Sequence, residues 1–172
     1  MSRPSASVRR VTDEIFDELI RDQFAANPLL ASALGAPGYD ELLPDLSAQA
    51  IAAREAREDE WAGRLADLDG ADLTPAQAID RDLALMVLRG RAIMRDWADW
   101  RRSPDHYAGT ALNGVFFLLL NRLLPEPELA AAVAARFDAT PQVLRAGAAN
   151  LDPELAHPTL LRRSLAQIAA GA

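Results

Sequence analysis

The run Ala111-Leu-Asn-Gly-Val-Phe-Phe-Leu-Leu-Leu-Asn-Arg-Leu-Leu124 leaves this chain few ways to fold. Phe116 and Phe117 stand side by side among six leucines. A helix built on this run is apolar around most of its circumference and belongs inside a bundle, with the other helices packed around it. The run is fourteen residues long and is broken by Asn113, Asn121 and Arg122, too short to cross a membrane. Ser103 as N-cap and Pro104 at the first helical position would start the helix. Pro125 and Pro127 would stop it. The expected fold is all-α: an irregular bundle of about six to seven helices around a central apolar helix over about 104–124.

A chain of 172 residues is long enough for one domain with a real core. The expectation is a single helical domain over 1–172, with residues 1–6 as a flexible terminus. Alanine supplies 35 of the residues and aromatics only 6%, a balance that favours helices in close contact. All 18 basic residues are arginine, which we read as a compositional bias of a GC-rich genome without functional meaning. The net charge is −7, and 17 of the 25 acidic residues lie between Asp13 and Asp82. Nucleic acid is therefore not an expected partner, because phosphate binding needs concentrated positive charge. Without cysteine, disulfides, thiolate metal sites and cysteine nucleophiles are excluded. The first ten residues lack the apolar core of a secretory signal, so the expected location is cytoplasmic and away from membranes.

Along the chain, a first helix is expected from Ser7 to Asn27, its stripe made by Val8, Val11, Ile15 and Leu19 with Phe16, Ile20 and Phe24. Asn27-Pro28 ends it. A short turn over 29–34 follows, then a loop rich in glycine and proline up to Asp45. Ser47 caps a second helix to about Leu68, burying Ile51, Trp61, Leu65 and Leu68 and exposing Glu55, Glu58, Asp59 and Glu60. Thr74-Pro75-Ala76-Gln77 is a capping box that opens a third helix, running to about Trp100 through Ile79, Leu83, Met86, Val87, Ile93, Met94 and Trp97. After the central helix, a fifth spans 128–138, Thr140-Pro141 caps a sixth to about Asn150, and His157-Pro158 starts a seventh on Leu161, Leu165 and Ile168.

The residue types that carry chemistry are sparse. His106 and His157 are the only histidines, and neither sits in a spacing that would put two ligands on one helix face; both read as helix caps or surface residues. Glu55, Glu58 and Asp59 share a face that could hold a divalent cation, but such faces are usually solvated, and Glu60 to Arg64 is an i,i+4 pair. Thr110, Asn113 and Asn121 fall in one sector of the central helix, with Arg122 a step further round. With Tyr107 they are candidate groove-lining residues, weighed against simple helix-to-helix hydrogen bonding. Trp97 and Trp100 read as core at helical spacing. No serine elbow and no phosphate loop is present. The residues alone thus give no catalytic, cofactor-binding or metal-binding set.

Several short stretches together resemble one family. They are Trp100-x-x-x-Pro104-x-x-Tyr107, the apolar helix ending in Asn121-Arg122, Ala135-Arg-Phe-Asp-Ala-Thr-Pro141, Leu144, and Ala149-Asn150-Leu151; upstream lie Asn27-Pro28, Leu34-Gly35, Tyr39-Asp40 and Leu46-Ser47. In order and spacing they resemble the N-terminal region of the bacterial domain of unknown function 885 proteins, regarded as zinc metallopeptidases of the His-Glu-x-x-His type. The resemblance implies longer relatives, with the zinc motif in a part that would follow Ala172. It therefore implies no metal ligand, cofactor or general base in this chain, and zinc only in that catalytic part. The role it implies is a non-catalytic helical domain that packs against a catalytic half and helps wall a substrate channel. Apolar surfaces left without that half should become interfaces, so the expected partners are a second copy of the chain or a catalytic partner chain, with a peptide as ligand. Two other readings are a free-standing helical interaction or small-ligand module using the groove near Tyr107, Asn113 and Arg122, and an enzyme with an atypical site.

Overall fold

A computed structural model describes residues 6–171, with side chains described over 12–170. The expected terminus over 1–6 falls almost wholly outside the described residues, and Val8 and Val11 of the first stripe lie outside the described side chains. The fold is all-α, with no strand among the described residues: α1 (Ala6–Ala26), α2 (Pro28–Ala33), α3 (Ala48–Ala66), a 3-10 turn (Gly70–Asp72), α4 (Pro75–Arg95), α5 (Asp99–Arg102), α6 (Asp105–Asn121), α7 (Glu126–Asn150) and α8 (Pro158–Gly171). None of these helices is long and apolar enough to cross a membrane.

The chain divides into two compact units. The first comprises residues up to Gln23 together with Ala52–Trp97, and so holds most of α1, most of α3 and all of α4. Its core is Leu19, Trp61, Leu65, Leu85 and Leu88, with Ile15 and Phe16 packed against it. Of the expected α1 stripe, Ile15, Phe16 and Leu19 pack here while Ile20 is 49% exposed, and Trp61 and Leu65 are buried as expected. Thr74 caps α4 as its sequence predicts: its hydroxyl accepts from Gln77 N at 3.3 Å, and Gln77 Oε1 accepts from Thr74 N at 2.9 Å.

Three expectations for this unit are corrected. Glu58 is buried, 7% exposed at its side chain, because Arg91 and Arg95 from α4 reach it at 3.0 and 3.1 Å. Arg64 pairs with Glu18 at 2.8 Å while Glu60 pairs with Arg57 at 2.7 Å; the α1 carboxylate displaces the i,i+4 pairing. The third helix also stops early. α4 ends at Arg95, the left-handed backbone of Ala98 (φ 48°) breaks the chain, and α5 holds Trp100.

The second unit, Phe24–Ile51 and Ala98–Ala172, is built on α6 and α7. α6 buries Tyr107, Ala108, Gly109, Ala111, Gly114, Val115 and Leu118. Small side chains dominate that face, which lets backbones approach closely. Gly114 and Gly147 are the tightest places: a Cβ on Gly114 would stand 2.7 Å from Leu43 Cδ2, and one on Gly147 2.7 Å from Tyr107 Cγ.

The boundaries differ from the sequence reading at three points. Ser103 does not cap α6; it ends α5, is buried, and its carbonyl accepts from His106 N at 3.1 Å. α6 then stops at Asn121, because Arg122 turns left-handed (φ 46°) before either proline is reached. The fifth and sixth helices are one helix, α7, with Pro141 inside it. A proline there forfeits one intrahelical bond, yet Leu129, Ala132, Arg136, Val143 and Gly147 form a single buried face that runs past it. Packing along that face outweighs the missing bond.

Phe116 and Phe117 depart furthest from expectation. They are 55% and 43% exposed, and Leu119, Leu120 and Leu123 are exposed with them. Apart from Tyr107, α6 buries chiefly its small-residue face and leaves both phenylalanines and two of its leucines exposed.

Candidate functional site

The N-terminal half of α6 and the short helix α2 enclose an open groove of about 440 Å³. Asn27 sets the α2 side: its Oδ1 accepts from Leu30 N at 3.2 Å, which fixes the first turn after Pro28 and places Leu29, Leu30 and Ala33 along the groove. α6 contributes Asp105, His106, Gly109, Thr110, Asn113 and Phe117. The lining is apolar on the α2 side and mixed on the α6 side, as in sites that bind a largely apolar ligand and orient it through a few polar groups.

On the α6 side Asp105, His106 and Thr110 have partners, although Asp105 Oδ1 is buried without one. Asp105 pairs with Arg163 at 3.2 Å, His106 Nδ1 lies 3.5 Å from Asp99, and the Thr110 hydroxyl donates to the His106 carbonyl at 2.6 Å. Asn113 and Phe117 also line an adjoining crevice with Ser32, Asp40, Asn121 and Arg136. This crevice has a volume of about 10 Å³, roughly the space of one water molecule. In it, the Ser32 hydroxyl donates to Asp40 at 2.6 Å.

Of the five groove residues expected from sequence, the structure brings Thr110 and Asn113 to the groove and Asn113 and Asn121 to the crevice. Tyr107 and Arg122 line neither. Tyr107 is buried against Gly147; its hydroxyl donates to the Trp100 carbonyl at 2.6 Å and accepts from Asn150 at 3.0 Å. Burial pushes its phenol pKa up, and the Asn150 bond pulls the other way. Arg122 is 62% exposed and pairs with Glu126 at 3.2 Å.

Sequence reasoning misses Arg136. It is 1% exposed, donates to the carbonyls of Gly114 and Tyr39, and its pKa is lowered by burial, with Asp40 opposing that shift. A signal is present in Ala130-Ala-Ala-Val-Ala-Ala-Arg136: a lone charge on the small-residue side of a helix must find partners if that side is buried.

The donor set does not suit a metal. Among the described residues no group of three histidine or carboxylate side chains comes together. His157 is a cap, its Nδ1 accepting from Thr159 N at 3.2 Å at the start of α8, and Glu58 is committed to two arginines. Asp105 and His106 adjoin, yet the Thr110 hydroxyl beside them is spent on the His106 carbonyl, and the imidazole Nδ1 faces Asp99.

No curated protein and no solved structure matches the chain. A family model does, over residues 28–172, which spans nearly all of the groove, the whole crevice and every helix from α2 onward. The chain belongs to the family described as bacterial protein of unknown function, DUF885.

Proposed function

We propose that this chain is a non-catalytic helical scaffold of a metallopeptidase-like assembly, packing against a catalytic part that carries the zinc chemistry and supplying one wall of its substrate channel. The observation that carries this reading is the coincidence, on α6, of an open groove and an exposed apolar face. Thr110, Asn113 and Phe117 line the groove, while Phe116, Leu119, Leu120 and Leu123 lie 52–60% exposed toward the helix end. Exposed clusters of large apolar side chains normally mark contact surfaces. In this reading the leucine-rich end docks on the catalytic part and the groove receives peptide, its α2 side taking apolar side chains and Asn113 bonding the peptide backbone.

Titration of the chain with short apolar peptides, followed by amide chemical shifts, tests the proposal. Perturbations centred on Leu30, Thr110 and Asn113, abolished in Asn113→Leu, are expected. Uniformly unmoved groove signals across peptides of varied sequence would overturn the channel-wall role. The groove alone also favours a second reading, a free-standing module for a small ligand; binding of small organic acids with no response to any peptide would select it.

A further inference from the structure

The α4 helix of the first unit carries a second apolar face, distinct from that on α6. Ile79, Leu83, Met86, Val87, Ile93, Met94 and, just past the helix end, Trp97 are 41–75% exposed, whereas Leu85 and Leu88 on the opposite side are buried in the unit's own core. At about 100° per residue the exposed residues form one stripe along a helix of about 30 Å. They leave on the order of 800 Å² of surface, taking roughly 200 Å² for a large side chain. That exceeds the largest apolar patch of an ordinary monomer and equals what each partner contributes to a stable interface.

The charges beside the stripe say what covers it. Asp80 and Arg91 flank one edge, Asp82 and Arg89 the other, and all four are exposed. Both pairs share one midpoint, between Leu85 and Met86. When two α4 helices pack antiparallel about a two-fold axis at that midpoint, each edge meets its own copy, so Asp82 faces Arg89 and Asp80 faces Arg91 of the second chain. Within its own unit Arg91 pairs with the buried Glu58 at 3.0 Å, whereas Asp82 pairs with its neighbour Arg81 at 2.9 Å in an exposed contact of little energy, so the Asp82 and Arg89 edge carries more of the register. A parallel pair would instead set Asp80 beside Asp82 and Arg91 beside Arg89, like against like. Gly90, with nothing within 4 Å of where its Cβ would stand, leaves room on the stripe for a side chain from the other copy.

We propose that the α4 stripe is the contact surface of an antiparallel two-fold dimer of this chain, with Met86 close to the axis and Asp82–Arg89 pairs fixing the register. The dimer is independent of the role proposed for α6.

Sedimentation equilibrium of the full chain at tens of micromolar tests it, with circular dichroism to check folding. The wild type is expected to be dimeric and Met86→Glu monomeric with its helix content kept. Asp82→Arg or Arg89→Asp alone should weaken dimerisation about tenfold or more in Kd, and the double swap should restore it. These two positions are exposed, so the swaps remain informative even if Met86→Glu unfolds. The chain has no cysteine, so single cysteines report orientation. Met86→Cys should form a disulfide-linked dimer on mild oxidation, while Ile79→Cys, separated from its counterpart by about 20 Å along the axis, should not. A monomeric wild type, a dimer indifferent to Met86→Glu, a double swap no better than the single ones, or crosslinking of the Ile79→Cys variant in place of the Met86→Cys variant would each overturn the proposal.

Discussion

The two units solve the same problem, how to bury large and charged side chains in a lysine-free chain, in opposite ways. In the first unit the buried groups are met by ions. Trp61, fully buried, donates to Asp22 at 2.7 Å and lies under the Arg64 guanidinium, 4.0 Å from its ring, while Asp22 and Glu18 hold Arg57 and Arg64. In the second unit the buried cation Arg136 is met by backbone carbonyls, and the packing relies on glycine and alanine at close approaches. Ion-paired cores depend on pH and tolerate changes of volume at the periphery. Small-residue cores differ on both counts: they are indifferent to carboxylate protonation and intolerant of a single added methyl.

The largest expected effect is Trp61→Ala. It empties the centre of the first unit and frees Asp22 and Arg64, at a cost of about 3–5 kcal/mol. Hydrogen exchange should show protection lost over α1, α3 and α4; loss over α7 instead would break the comparison. Gly147→Ala comes next. It drives a methyl into the Tyr107 ring, 2.7 Å from Cγ, and should cost about 1–3 kcal/mol, read as a lower denaturant midpoint with exchange faster in α6 and α7. Thr74→Ala removes one half of a capping box and should cost about 1 kcal/mol, confined to the first turn of α4.

The pH dependence is smaller but sharper in meaning. Glu18 is held below its ordinary pKa of 4.5, chiefly by the Arg64 hydrogen bond. For Asp22, burial opposes ionisation but bonds from Arg57 and Trp61 outweigh it, so its pKa lies below 3.8. A depressed carboxylate contributes stability that is complete above its unfolded pKa and is lost as pH falls through the folded value. The first unit should therefore loosen below about pH 4. Tyr107 works in the other direction: its raised pKa contributes stability that is present below 10.0 and lost as pH rises through the folded value. Unit-resolved exchange should show acid loosening α1 and α3, and alkali loosening α5 to α7; the reverse assignment would contradict the account.

What is legible in the sequence is local. The Thr74 and Gln77 box, the α1 stripe, the Ser47 cap and the His157 cap each involve residues within four positions of one another. What stays hidden depends on partners far along the chain. Glu58 reads as solvated because Arg91 and Arg95 lie 33 and 37 residues away. Pro141 reads as a helix start because the continuous buried face of α7 is visible only against α6. Exposure is the hardest to read: periodicity reports that the α4 and α6 faces are apolar but not whether this chain covers them. For the groove, helical spacing groups Thr110, Asn113 and Asn121, yet Tyr107 is taken up by Asn150 and Gly147 from α7.

The central proposal is that this chain holds a ligand and its partners without itself performing chemistry. Zinc content by elemental analysis of the purified chain, measured alongside turnover of a mixed peptide library, tests it most directly. The account predicts substoichiometric zinc and no cleavage above buffer, unchanged by His106→Ala. One zinc per chain with peptide hydrolysis that His106→Ala abolishes would contradict it.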